Sequence, residues 1–185
     1  NQKKQGNVAA QCVSEQEVVL KSDNSLLSDG EAFYLPEDCE TEGVVFSVGV
    51  AVRIKQICKS VPAKLASKYY EQVCFAFDFR KKEKSGDALQ NAFDYSFAIG
   101  KKVNFCEIKS LSITLRKGES QVLQLSLAEL ESKIDNSMQR VSETMSLKVG
   151  DMLFVPLCDK AFEANAGDEY EICSDETCFL SCKIK

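Results

Sequence analysis

The chain has no histidine in its 185 residues. Histidine is the commonest general acid or base at neutral pH and a preferred metal ligand. Any chemistry must therefore rest on carboxylate, lysine, cysteine, tyrosine or backbone groups. No apolar run approaches the roughly 20 residues that a membrane-spanning helix needs, so no membrane partner is expected. Asn1 to Gln5 is polar and basic with no apolar stretch behind it, and a signal peptide is not expected. There is no CxxC pair, no tandem repeat and no low-complexity tract. Positive charge is also short. Lys and Arg number 23 against 28 Asp and Glu, for a net charge of −5 and a pI near 5.0. Such a chain is a poor binder of phosphate backbones, and no nucleic-acid partner is expected. The one basic run, Arg80-Lys81-Lys82-Glu83-Lys84, reads as a solvated loop after a strand.

What is present is an ordinary globular composition, 44% hydrophobic and 28% charged. The length suits one domain with a proper core. We expect a flexible N-terminal extension over residues 1–16 and a single domain over residues 17–185. Nine cysteines are many: Cys12, Cys39, Cys58, Cys74, Cys106, Cys158, Cys173, Cys178 and Cys182. Their number is odd and most sit in apolar runs, where free thiols pack as small hydrophobes. The expectation is a reducing cytoplasm. Cys173, Cys178 and Cys182 are close enough to invite a zinc or redox reading. Packing across a hairpin is the competing one.

Short strands dominate the pattern. Glu17–Leu20, Leu26-Leu27 and Ala32–Leu35 are brief candidates separated by turn residues. Val44–Ile54 alternates, with Val44, Phe46, Val48, Val50, Val52 and Ile54 on one face. Its other face, Val45, Ser47, Gly49, Ala51 and Arg53, is small or mixed. Pro62 opens an expected helix to Glu71 with Leu65, Ala66, Tyr69, Tyr70 and Val73 along its buried stripe. Val73–Phe79 follows as a buried strand with Asp78 near its end. Residues 84–96 read as a loop or short helical turn. Ser110–Arg116 and Gln121–Leu125 form a hairpin around Gly118. Ser126 and Glu129 read as a capping box for a helix carrying Leu127, Leu130, Ile134 and Met138. Gly150-Asp151 and Gly167-Asp168 each launch a strand. Cys178–Ile184 closes the chain, pairing back across Ser174–Thr177. The fold class expected is a β-rich α+β domain with two main helices.

In that order the signals resemble the fumarylacetoacetate hydrolase family, whose domains share a mixed β-roll. Val19-Leu20-Lys21 through Leu27 resembles the family's F-x-K-P-x-x-x-L, with Ser22 in place of proline. Phe46–Ile54 resembles Y-E-x-E-L-x-x-x-I, and residues 62–79 resemble the helix and strand that follow it. Ala92-Phe93-Asp94 resembles K-x-F-D. Leu147-Lys148-Val149-Gly150-Asp151 and Gly167-Asp168 match the C-terminal frame.

The resemblance implies a homodimer and a site where three carboxylates hold magnesium or manganese, which grips a keto acid of the acylpyruvate type. Two of those carboxylates stand at alternate positions of one strand, which here are Ser47 and Gly49. The third corresponds to Asp78, which is kept. Lys21, Asn91 and Asp94 are candidate pocket residues, Asn91 standing where the family has lysine. The Gly- and Thr-rich loop is replaced by Pro156-Leu157-Cys158-Asp159. One carboxylate cannot do the work of three for a hard cation. The first expectation is therefore a non-catalytic relative with a binding or structural role and no cofactor. The second is a hydrolase, decarboxylase or isomerase of small keto acids with a site rebuilt around Asp78, Ser47, and Glu83 or Lys21. Magnesium or manganese enters if that holds. The third is a metal-free pocket, made roomier and less negative by Ser47 and Gly49, for an apolar or anionic small molecule such as a carboxylate.

Overall fold

The computed structural model describes residues 8–11, 18–37, 43–82 and 88–185. Two sheets form the body. The larger has seven strands, β1 (Val8–Gln11), β2 (Val18–Lys21), β3 (Leu26–Ser28), β5 (Val44–Ile54), β6 (Tyr70–Lys81), β7 (Phe97–Asn104) and β10 (Met152–Ala164). Their order across the sheet is β2-β1-β10-β5-β6-β7-β3. The smaller sheet runs β4-β12-β11-β8-β9, built from β4 (Ala32–Phe33), β8 (Ser112–Lys117), β9 (Ser120–Ser126), β11 (Glu169–Ser174) and β12 (Thr177–Ile184). Three helices accompany them: α1 (Ala63–Ala66), α2 (Phe105–Ile108) and α3 (Leu130–Thr144). Among the described residues no helix is long and apolar enough to cross a membrane.

The larger sheet cannot be flat. A flat one would hold its two edge strands six gaps apart, about 29 Å at ~4.8 Å per gap. Yet Lys21 ends β2 at one edge and Leu26 starts β3 at the other. Five residues reach at most about 18 Å. The sheet therefore rolls until its edges approach, which gives it an inner and an outer face. The mixed β-roll expected from the family resemblance is what the chain adopts.

The alternation of β5 assigns those faces. Phe46, Val48, Val50 and Val52 join Val73, Phe75, Phe77 and Phe79 of β6 in the main core. Aromatic contacts carry this core across to the smaller sheet. Phe79 stacks on Phe33 at 3.9 Å, Phe75 meets Phe179 at 5.0 Å, and Phe46 meets Tyr170 edge-on at 4.8 Å. The opposite face of β5 and β6 carries Ala51, Cys74 and Ala76, packed with Phe97, Met152 and Phe154.

Several expectations give way. The helix from Pro62 is a single turn ending at Ala66, because Tyr70 is already paired with Ile54 as the start of β6. Only one long helix results, α3, with Leu130, Ile134, Met138 and Val141 buried. The capping box does not form. Ser126 Oγ accepts from Ala128 N–H at 3.3 Å in a local turn, and the helix starts at Leu130 without a side-chain cap. Pro156-Leu157-Cys158-Asp159 lies within β10, where the register against β5 shifts between Pro156 and Ala161. Proline has no N–H for the ladder, so an irregularity is natural there. Val8–Gln11, expected in the flexible extension, is a strand paired with β10 on one side and β2 on the other. Strand β7 was not anticipated. Its apolar start, Phe97-Ala98-Ile99, passes at once into Gly100-Lys101-Lys102. Cys12, Cys39, Glu83 and the remaining extension residues lie outside the described residues.

Candidate functional site

The inner face of the roll gathers an unusual share of buried polar groups. Ser47 on β5 is the register partner of Asp78 on β6, and Asp78 is the partner of Phe97 on β7. Cross-strand partners point their side chains to the same side. Ser47 and Asp78 thus lie side by side, buried. Lys21 arrives from the last position of β2 and is also buried, its side chain 1% exposed against 6% for Asp78.

Lys21 Nζ lies 2.7 Å from Asp78 Oδ1. It donates to the carbonyl oxygens of Phe79 and Ser96, each at 2.9 Å, and to Ser96 Oγ at 3.0 Å. An ammonium has three protons. With three other oxygens accepting them, Asp78 Oδ1 is held by charge and has no hydrogen bond of good geometry. The rings of Phe93 and Phe97 flank the ammonium, each 5.9 Å from centroid to nitrogen. Removing one member of such a buried pair typically costs about 3–5 kcal/mol, because the other charge is stranded.

Three buried side-chain oxygens have no hydrogen-bond partner among the described residues: Ser25 Oγ, Ser47 Oγ and Asp78 Oδ1. All belong to this neighbourhood, since Leu26 pairs with Phe97 and sets Ser25 beside Ser96. Asn91 reaches the cluster through its carbonyl, which accepts from Ser96 Oγ at 3.4 Å. Asp94 does not reach it and is exposed in a turn. Sequence reasoning missed Ser25 and Ser96. Each is the last polar residue before an apolar strand start, Leu26-Leu27 and Phe97-Ala98-Ile99, and that position was the available signal.

Gly49 is not beside open space. A Cβ built there would overlap Cε2 and Cζ of Phe154 and the carbonyl oxygen of Val155. The ring of Phe154 lies edge-on to Phe97 at 5.5 Å and is fully buried. The roomier pocket expected around Ser47 and Gly49 is thereby corrected: an aromatic ring from the neighbouring strand fills the place of the lost side chain.

The family model described as "Fumarylacetoacetate (FAA) hydrolase C-terminal" matches residues 1–184. The chain belongs to the fumarylacetoacetate hydrolase family. No curated protein matches the sequence. Among solved structures it is similar to 5-carboxymethyl-2-hydroxymuconate delta-isomerase from Mycobacterium smegmatis, at 18% identity and TM-score 0.81 over 97% of this chain and 78% of that one. It is similar to 2-hydroxyhepta-2,4-diene-1,7-dioate isomerase from Mycobacterium marinum, at 16% identity and TM-score 0.81 over 97% and 74%. It is also similar to maleylpyruvate hydrolase from Sphingobium sp. SYK-6, solved with manganese(II) and pyruvate, at 16% identity and TM-score 0.80 over 96% and 69%. At these identities the likeness establishes the fold.

The three positions that the family resemblance assigns to a divalent ion do not fit one in this fold. Ser47 supplies one hydroxyl, Gly49 supplies nothing, and Asp78 already faces a cation. A hard divalent ion needs six or more oxygens, and an ammonium 2.7 Å from the sole carboxylate repels a second positive charge. Among the described residues no three Cys, Asp or Glu side chains converge as a ligand set.

Proposed function

We propose that this fumarylacetoacetate hydrolase family member works without a divalent ion and does not turn over keto acids of the acylpyruvate type. Its role is then binding or structural, as a homodimer. The observation that carries this reading is the contact between Lys21 and Asp78. The position corresponding to the family's third ligand is neutralised from within the chain, and Phe154 fills the place beside Gly49. Titration calorimetry with manganese and magnesium, run beside a turnover assay on an acylpyruvate, tests it. The expected result is no saturable ion binding and no turnover. Tight binding accompanied by turnover ends the proposal. Sedimentation velocity tests the dimer, and a single monomer boundary at high protein concentration removes that part.

A second reading has its own support. Buried oxygens without hydrogen bonds are rare and call for an explanation, and one of them, Ser47 Oγ, belongs to the cross-strand partner of the ion-paired Asp78. On that reading Lys21, Ser47 and Asp78 form a rebuilt, metal-free site of a hydrolase, decarboxylase or isomerase acting on a small keto acid. Its carboxylate would face the only buried cation of the cluster. The second reading requires a detected activity that Asp78→Ala abolishes. An activity indifferent to Asp78→Ala excludes this site, as does the absence of thermal stabilisation across a set of small keto acids.

A further inference from the structure

Two thiols oppose each other near the tip of the hairpin formed by β11 and β12. Cys173 and Cys178 are direct Cα partners, and one step outward Ser174 pairs with Thr177. Only Asp175 and Glu176 separate that outer pair, with Asp175 in the left-handed region at φ 50°. In a two-residue hairpin the closing pair exchanges both backbone hydrogen bonds. The next pair inward is then of the non-hydrogen-bonded kind, whose Cα atoms approach to about 4.5 Å. A disulfide spans Cα separations of about 4.4–6.8 Å. The backbone therefore already holds the two cysteines at bridging distance, with both side chains on one face of the sheet.

Other observations agree. Both thiols are free, Cys173 buried and Cys178 partly open. The thiol of Cys178 donates to the Leu180 carbonyl at 3.6 Å and is pushed up to about 11, first by burial and next by the neighbouring Cys173. The register shifts just beyond the pair, where Phe179 is the extra residue, and Phe179 packs on Phe75 at 5.0 Å. The hairpin tip is thus anchored in the core and cannot splay the thiols apart cheaply. Cys182 is excluded as a partner, because its own cross-strand neighbour is Tyr170.

We propose that Cys173 and Cys178 are a redox-responsive dithiol that closes to a cross-strand disulfide under a peroxide or a small-molecule disulfide. With a peroxide, the deprotonated sulfur of Cys178, the more accessible of the two, attacks the O–O bond. It becomes a sulfenic acid, and the leaving oxygen takes a proton and departs as water or an alcohol. The sulfur of Cys173 then displaces the sulfenic hydroxyl, which leaves as water as the S–S bond forms. Two thiols lose two electrons, and one peroxide is reduced. With a small disulfide, Cys178 forms a mixed disulfide and releases one small thiol, and Cys173 resolves it and releases the second.

The test uses the intact chain. After treatment with hydrogen peroxide, or separately with oxidised glutathione, remaining thiols are alkylated under denaturing conditions. The tryptic peptide between Lys160 and Lys183 is then read by mass spectrometry. The expected product has lost two hydrogens, carries one alkyl group on Cys182, and reverts with a reductant. Cys173→Ser and Cys178→Ser each abolish the loss, whereas Cys182→Ser retains it. If both cysteines remain alkylatable, or if they end only as separate sulfinic acids or glutathione adducts, the proposal is overturned.

Discussion

The two faces of strands β5 and β6 differ in kind although they share the same backbone. On the outer side of the roll, alternate residues are large and apolar, and Phe46 alone meets four aromatic rings, those of Phe77, Phe79, Phe162 and Tyr170. On the inner side the partners are Ser47 with Asp78, Gly49 with Ala76, and Ala51 with Cys74. Small residues leave room that something else must occupy, and two side chains from distant sequence do so. Phe154 covers Gly49, and Lys21 covers Asp78. One face is held by large side chains that interlock with the smaller sheet, the other by two side chains that fill the room its small residues leave.

That contrast is testable, and the largest effect should come from the aromatic face. Phe46→Ala is expected to cost near the upper end of the roughly 3–5 kcal/mol that buried aromatic truncations show, read by urea denaturation. Lys21→Met comes next, at about 3 kcal/mol, since it strands the Asp78 carboxylate. The companion Lys21→Met/Asp78→Leu should recover most of that loss. If the double variant is no more stable than the single one, Lys21 matters for its packing and not for its charge.

The core face was legible in the sequence because its signal is local. The alternation from Val44 to Ile54 gives β5 its bounds and its buried side with no other information. The hairpin around Gly118 and the Gly-Asp strand starts are equally local. Pro62 misled for the opposite reason. Its helical stripe is real in pattern, but pairing of Tyr70 with Ile54 takes the chain into a strand after one turn. The inner face was legible only in part. Asp78, Ser47 and Gly49 could be singled out by likeness to the family pattern. That Lys21 meets Asp78 across 57 positions depends on the roll bringing its edges together, and no short-range pattern encodes that. Nor does anything around Gly49 announce that an aromatic ring from β10 lies over it.

A smaller effect is expected at Gly49. Gly49→Ala forces the Phe154 ring and the Val155 carbonyl to give way. Overpacking of this kind costs about 1–3 kcal/mol. Phe154→Leu in the same chain should return part of it, by the same denaturation measurement. Equal losses in the single and double variants would mean that the backbone oxygen, and not the ring, sets the limit.

The smallest effect compares Asp78 with a half-buried carboxylate whose partner is neutral. Asp135 on α3 accepts from the hydroxyl of Tyr70 at 3.0 Å. Burial raises its pKa above the ordinary carboxylate value, the Tyr70 hydrogen bond opposes this, and the charge of Glu131 adds to it. Between the ordinary value and the raised one, the folded chain holds a proton that the unfolded chain has released. Asp135 therefore favours folding most below the ordinary value and loses that contribution as pH rises through the raised one. Asp135→Asn keeps an acceptor for Tyr70 and removes the titration. The stability of the natural chain relative to this variant should then fall from acid towards neutral pH. A difference that stays flat across that range would show that Asp135 titrates alike in the folded and unfolded chain, and that partial burial without a cation leaves no imprint on stability here.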